Sequence, residues 1–284
     1  AITTSTIGYI IAPRINASGR LGCAARSVEM FLTDDSGRAY ELANDLCKEN
    51  TIRQQTEQKM FAEALEYIEQ HPEMKSDRVL IIPHTEWHHG IVGIVSSKIT
   101  EKFYKPSILF AIDGDEAKGS GRSISGYNLF EALENCGDIL EKFGGPELAA
   151  GLLIKTENIE SFRTAINEAA QETMAEKILT PTISVDAVIK PAYISIETVE
   201  EINRLQPFGV DNPTPVFAVR CIKIHKISTM SEGKHLRMTL LKDGKVLDAV
   251  GFGMGDYYNH LKEGDGVEVA FGLDINDYKG YRNV

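Results

Sequence analysis

Between Gly37 and Pro72 the chain contains neither glycine nor proline, and apolar residues recur through it at helical spacing. Asp34, Asp35 or Ser36 can cap the start, and His71 with Pro72 stops the end, so the pattern predicts one long helix reaching Gln70. Its apolar stripe is expected to run through Ala39, Leu42, Leu46 and Ile52 to Met60, Phe61, Ala64, Leu65 and Ile68. A helix of that length suits a connector between domains, and it divides the rest of the chain into separate problems.

Before it, residues 1–33 start abruptly, with a short apolar run at residues 7–11, a polar loop "APRINASGRLG" and a helical pattern "ARSVEMFL". They read as the end of a domain whose beginning lies elsewhere. After the long helix (34–75), residues 76–180 alternate strand and helix signals: "RVLIIP", "IVGIVSSKITEKF", "PSILFAI", "AKGSGRSI", "NLFEALENC", a glycine-rich turn, "AGLLI", and "IESFRTAINEAAQETMAEKI". That alternation predicts an α/β domain. From 181 to 284 the pattern changes to β runs separated by turns, including the hairpin signal "KDGK". About five strands with one intervening helix fit a small closed barrel of the oligonucleotide-binding type. The last seven residues, "YKGYRNV", stop inside what should be a strand.

No apolar run approaches a membrane span, and the N-terminus lacks the layout of a signal peptide, so a soluble cytoplasmic protein with no membrane partner is expected. Cys23, Cys47, Cys136 and Cys221 are scattered without a CxxC pair and read as reduced thiols. The net charge of −11 argues against a nucleic-acid partner, but its distribution argues the other way. Residues 220–245 carry seven basic residues against two acidic ones, in the segment most like a barrel.

Several stretches carry possible chemistry. "AKGSGRSISG" sets Lys118, Ser120, Arg122 and Ser123 among glycines, where hydroxyl, backbone N–H and guanidinium can converge on one oxyanion. The bland alternative is a glycine-rich edge strand with a surface arginine. "APRINASGR" adds Arg14, Asn16, Ser18 and Arg20 in a second loop of the same character. In "FGGPELAAG", Gly144 and Gly145 stand where a helix would begin and look like a seat for an anion, yet Pro146 follows with no N–H to offer. The histidines of "WHHG" invite a metal reading, but no carboxylate stands at a ligand spacing. The start of a helix with Trp87 packed beneath it is the better reading. Asp34/Asp35 and Asp113/Asp115 read as cap and turn residues, and no metal site is expected in this chain.

"APRINASGRLG", "WHHGIVGIVSSKI", "KGSGRSISGYNLFEALENC", "FGGPELAAGL" and "LQPFGVDNPTPVF" together resemble, in order and spacing, the RecJ family of single-stranded-DNA-specific exonucleases in the DHH phosphoesterase superfamily. The resemblance covers essentially the whole chain. It implies the end of a DHH domain (1–33), a connecting helix (34–75), an α/β DHH-associated domain (76–180) and an oligonucleotide-binding barrel (181–284). It also implies an intact protein that digests single-stranded DNA from the 5′ end with Mn²⁺ or Mg²⁺ in recombination and repair. The family's metal ligands belong to an N-terminal domain whose motifs this chain lacks, so the chain alone is expected neither to bind a metal nor to hydrolyse DNA.

The resemblance assigns Ser120 and Arg122 to the DNA 5′ phosphate, with Ser123, Gly144 and Gly145 beside them and Arg14, Asn16 and Arg20 near the same groove. Pro146 occupies the place of the family's GGH histidine, which implies reduced or altered catalysis in the intact protein. In the barrel, Lys223, His225, Lys226, Lys234, His235 and Arg237 are candidates for a basic groove, and Phe208, Phe217 and Phe252 for stacking on bases. The expected partners are single-stranded DNA and other replication or repair proteins. Two alternatives stand beside the exonuclease reading: a non-catalytic single-strand-binding or interaction module, and a phosphodiesterase for short oligonucleotides or cyclic dinucleotides.

Overall fold

The structure is a computed structural model that describes residues 2–278 and 280–284, in two compact units, Ala1–Pro181 and Thr182–Val284. In the first unit a π-helical turn (Thr6–Ile11) runs into α1 (Ala12–Leu21), followed by α2 (Ala25–Leu32) and the 35-residue α3 (Ser36–Gln70). The α/β part then runs β1 (Leu80–His84), α4 (His89–Phe103), β2 (Ser107–Asp113), β3 (Glu116–Arg122), α5 (Leu129–Glu134), β4 (Lys142–Gly144), β5 (Ala149–Lys155) and α6 (Ile159–Thr173). The second unit holds β6 (Ala187–Val188), α7 (Ile196–Asn203), β7 (Phe217–Met230), β8 (His235–Lys242), β9 (Lys245–Gly251), β10 (Gly266–Phe271), β11 (Asn276–Tyr278) and β12 (Tyr281–Asn283).

The long helix starts where an aspartate can cap it: Asp35 Oδ1 accepts from the backbone N–H groups of Gly37 at 2.8 Å and Arg38 at 3.3 Å. Its buried face runs Leu42, Leu46, Asn50, Glu57, Met60, Ala64, Ile68, so the stripe is polar in the middle. Ile52, expected on that stripe, is exposed, because it falls about 100° away from the buried face. Glu57 is buried there and is held by Arg53 and Lys98, which fastens α3 to α4 by an ion network. Such a buried pair supports register more than net stability.

The expected polar loop "APRINASGRLG" is helical. Pro13 sits in the first turn, where its missing N–H costs no helical hydrogen bond. Ala17 and Ser18 form a buried face, with the Ser18 hydroxyl 2.8 Å from the Ile15 carbonyl and 2.7 Å from the Ser27 hydroxyl.

A five-stranded sheet in the order β1-β2-β3-β5-β4 forms the centre of this unit, parallel between β1 and β2 and antiparallel elsewhere. One face buries Ile81, Ile108, Phe110, Ala117, Leu152 and Ile154 against α5 and α6. The other buries Leu80, Ile82, Leu109 and Ala111 against α3 and α4. β3 is therefore an interior strand rather than an edge, and its glycines have a packing cause. A Cβ on Gly119 would stand 2.6 Å from the Phe110 ring, and one on Gly121 would stand 2.8 Å from Leu129. The last helix of this unit stops at Thr173, five residues before the expected end, with Met174 extended and buried.

In the second unit β10-β7-β8-β9 form an antiparallel sheet with β6 parallel to the start of β7. Asp243 and Gly244, both at positive φ, make the tight β8–β9 turn that "KDGK" predicts. The sheet curves through a bulge between Ile224 and Lys226. The expected closed barrel is not formed among the described residues. Closure needs a strand on the outer edge of β9, and the terminal hairpin β11–β12 pairs only with itself. The expected strand "YKGYRNV" includes Lys279, which lies outside the described residues.

Candidate nucleic-acid interface

The side chains of β3 that face away from α5 and α6 are Glu116, Lys118, Ser120 and Arg122, because Ala117, Gly119 and Gly121 point to the opposite core. Ser120 and Arg122 thus lie beneath α4. That helix is pinned to the sheet by buried hydroxyls. Ser96 Oγ lies 3.0 Å from both the hydroxyl and the carbonyl of Ser107, and Thr100 Oγ1 lies 2.9 Å from Ser107 Oγ.

Close approach here depends on glycine. A Cβ on Gly93 would stand 2.9 Å from Ser120 Oγ and 3.1 Å from Arg122 Nη2, so only an unsubstituted residue leaves room for both polar tips against α4. One turn earlier a Cβ on Gly90 would stand 2.3 Å from the backbone oxygen of Arg20, and Arg20 Nη1 donates to the Gly90 carbonyl at 3.1 Å. The C-terminal end of α1 is thereby brought to the start of α4, with Arg20 beside Arg122. Neither glycine belongs to a motif that marks it in the sequence. The available signal was two glycines three apart inside a helical pattern, each of which costs about 1 kcal/mol of helix propensity unless something needs the space.

Arg122 is half-buried. Its Nη1 donates to the Gly121 carbonyl at 2.7 Å and to Ser120 Oγ at 3.3 Å, and among the described residues no carboxylate pairs with it. Burial, and then the neighbouring Arg20 charge, pull its guanidinium below the usual arginine range. A half-buried cation facing a second cation and a hydroxyl is electrostatically unfavourable alone and would be relieved by an anion.

Other predicted residues are placed elsewhere. Ser123 donates its hydroxyl to the Tyr127 carbonyl at 2.7 Å and serves the loop. Arg14 faces the Ile10 carbonyl and Cys47 Sγ, Asn16 is exposed, and no hydrogen bond among the described residues joins either to the Ser120–Arg122 pair. Gly144 ends β4 and Gly145 begins a turn into β5, so no helix starts there and the two glycines form no helix N-terminus. The Pro146 carbonyl accepts from Ala149 N–H at 3.2 Å, and the exposed ring contributes no donor.

"WHHG" is the start of α4. Trp87 is buried and donates to Glu63 at 2.9 Å, and His88 caps the helix by accepting at Nδ1 from Gly90 N–H at 3.1 Å. Burial, then the neighbouring His89 charge, lowers the His88 pKa below its ordinary 6.5. The folded state thus favours the neutral ring that can accept this bond. The cap's contribution is complete above the unfolded pKa and is lost as pH falls through the lower folded value. Unfolding followed from pH 7 to pH 5 should show His88→Asn, which caps without titrating, losing less stability than the parent, by up to about 1 kcal/mol.

Among the described residues no group of three or more His, Cys, Asp or Glu side chains is placed to hold a metal ion. Nor is any described helix long and apolar enough to cross a membrane.

In the second unit, register places Arg237 opposite Ser228 and Val250, and Lys226 opposite Thr239, all on the face away from the buried Leu236, Met238 and Leu240. Lys223, Lys226, Lys234 and Arg237 are exposed. His235 meets Phe252 edge-on at 5.5 Å and accepts at Nδ1 from Gly253 N–H at 2.9 Å. Phe252 is 76% exposed, which leaves its ring open for stacking, whereas Phe208 and Phe217 are partly buried.

Residues 76–172 match the DHHA1 domain family and residues 185–284 the RecJ OB domain family. The chain is 37% identical to the single-stranded-DNA-specific exonuclease RecJ of Bacillus subtilis over 96% of its own length and 35% of that protein. It is 33% identical to RecJ of Escherichia coli over 100% of its own length and 50% of that protein. The crystal structure of RecJ with Mg²⁺ from Thermus thermophilus superposes on 100% of this chain and 42% of that one, with a TM-score of 0.81 and 26% identity. The Mn²⁺ complex of the same protein gives 0.81 and 28%. The chain thus spans between a third and a half of the relatives it matches.

Proposed function

We propose, for a chain that carries the DHHA1 and OB domains of the RecJ family, that it is the DNA-engaging part of a 5′ to 3′ single-stranded-DNA exonuclease acting in recombination and repair. One observation carries this reading: the half-buried Arg122, beside Ser120 and Arg20 and with no carboxylate partner among the described residues, is a receptor for a phosphate. The exposed cations and the open Phe252 ring of the OB unit supply sequence-independent contacts to the strand. Mn²⁺ or Mg²⁺, together with phosphodiester hydrolysis, belongs to the intact protein in this reading. Relatives of this chain have been seen with both ions.

Within the chain, Ser120 and Arg122 fix the terminal phosphate and so the register of the strand, while α4 excludes water from one side of the pair. Pro146 supplies no donor at the turn beside β5, which favours lowered catalysis in the intact protein, or a purely binding role, as the second reading.

Equilibrium binding of single-stranded oligonucleotides bearing either a 5′ phosphate or a 5′ hydroxyl, across a salt series, tests the proposal. The phosphate should tighten binding about tenfold or more, and Arg122→Ala should erase that difference. Salt-sensitive binding that ignores the 5′ end would leave only a single-strand-binding module.

A further inference from the structure

The face of the sheet that carries Ser120 and Arg122 continues past α4 onto β5 and β4, where no helix covers it and Gly151 is exposed. Register defines what stands there. Ser120, Gly151 and Gly144 form one row across β3, β5 and β4, and Lys118, Leu153 and Lys142 form the next row on the same face. Lys118 and Lys142 are both exposed, and among the described residues neither makes an ion pair. They flank the half-buried Leu153 from opposite strands, about 10 Å apart at their Cα atoms, within reach of two extended lysine side chains meeting above it. The following row holds Asp113, Glu116 and Lys155, so the purely cationic surface ends at Lys118 and Lys142.

This row lies about 7 Å along the strand from the Ser120 row, a step comparable to that between successive phosphates in an extended nucleic-acid strand. Within the Ser120 row itself, Gly151 and Gly144 leave bare backbone beside the serine, with no heavy atom within 4 Å of a Cβ built on either. We propose that Lys118 and Lys142 hold the first internucleotide phosphate of a single strand whose 5′-terminal phosphate sits at Ser120 and Arg122. The terminal sugar then spans the step from the Ser120 row, beside the bare backbone of Gly151, to the Lys118 row, and the strand leaves along the open sheet face. This inference rests on the reading of the Ser120–Arg122 pair given above. It adds a direction of travel and a second phosphate.

The test is binding of 5′-phosphorylated oligonucleotides to the chain and to Lys118→Ala/Lys142→Ala, using strands with a neutral methylphosphonate at the first linkage or at one near the 3′ end. The double variant should bind the unmodified strand roughly tenfold more weakly and keep its preference for a 5′ phosphate over a 5′ hydroxyl. Neutralising the first linkage should weaken the parent to a similar degree and cost the variant almost nothing more, whereas the distant linkage should affect both equally. Equal losses from the first-linkage change in parent and variant, or a double variant that binds like the parent, would overturn the proposal. A double variant that loses its preference for the 5′ phosphate would also overturn it, by placing the lysines at the terminal phosphate. A parent indifferent to the 5′ phosphate would instead remove the underlying reading and this inference with it.

Discussion

Gly93→Val is expected to abolish the preference for a 5′-phosphorylated strand while leaving the chain folded. The first carbon added would stand 2.9 Å from Ser120 Oγ and 3.1 Å from Arg122 Nη2, and valine adds two methyl groups beyond it. Both neighbours are ends of side chains, so they give way before the backbone does. The guanidinium and hydroxyl must leave the shared position that makes them a phosphate receptor. Stability has opposing terms here. Removing a glycine from the interior of α4 recovers several tenths of a kcal/mol of helix propensity, which offsets part of the crowding. Binding should therefore fall at least tenfold for the phosphorylated strand only, with a melting temperature within a few degrees of the parent. Anisotropy titrations against both 5′ ends, paired with thermal unfolding, separate these effects. Undiminished discrimination in Gly93→Val would mean that the phosphate does not sit at Ser120 and Arg122.

Much of this arrangement is legible in sequence where the signal is local. Asp35 at a cap position, His71 and Pro72 at a stop, and "KDGK" at a hairpin each act through their own backbone, and each appears in the structure where the sequence implies it. Alternating strand and helix signals likewise give the α/β layer. What is not legible depends on partners distant in sequence. Glu57 looks like a solvent-facing residue of the long helix, but Lys98, 41 residues away, makes it a charged position that can be buried. "APRINASGRLG" is rich in residues that favour turns, and only the packing of Ala17 and Ser18 makes it a helix. Ser120 and Arg122 were visible as residue types, whereas Gly90 and Gly93, which create their space, look like poor helix formers. Lys142 carried no signal at all, since only strand register brings it level with Lys118.

The adjoining glycines of "FGGP" are expected to respond oppositely to alanine. Gly145 has φ of +149°, and a Cβ built on it would stand 2.1 Å from the Ala149 carbonyl oxygen and 2.8 Å from the Ala150 Cα. Those are backbone atoms of β5, which is paired to β3 over seven residues and to β4 over three, so they cannot withdraw without opening both ladders. Gly145→Ala should therefore cost about 3 kcal/mol or more in urea unfolding. Gly144 lies in strand conformation with nothing within 4 Å of a built Cβ, and Gly144→Ala should remain within about 1 kcal/mol of the parent. The pair also separates two explanations of the glycines that sequence alone confounds. If their purpose were only to present backbone N–H groups to an anion, both substitutions would spare stability and harm binding alike. A large loss of stability confined to Gly145→Ala assigns that residue to the turn, and any binding defect of a folded Gly144→Ala variant then belongs to the strand face beside Ser120. Equal stability of both variants would mean that the β4–β5 turn is not built around the Gly145 backbone.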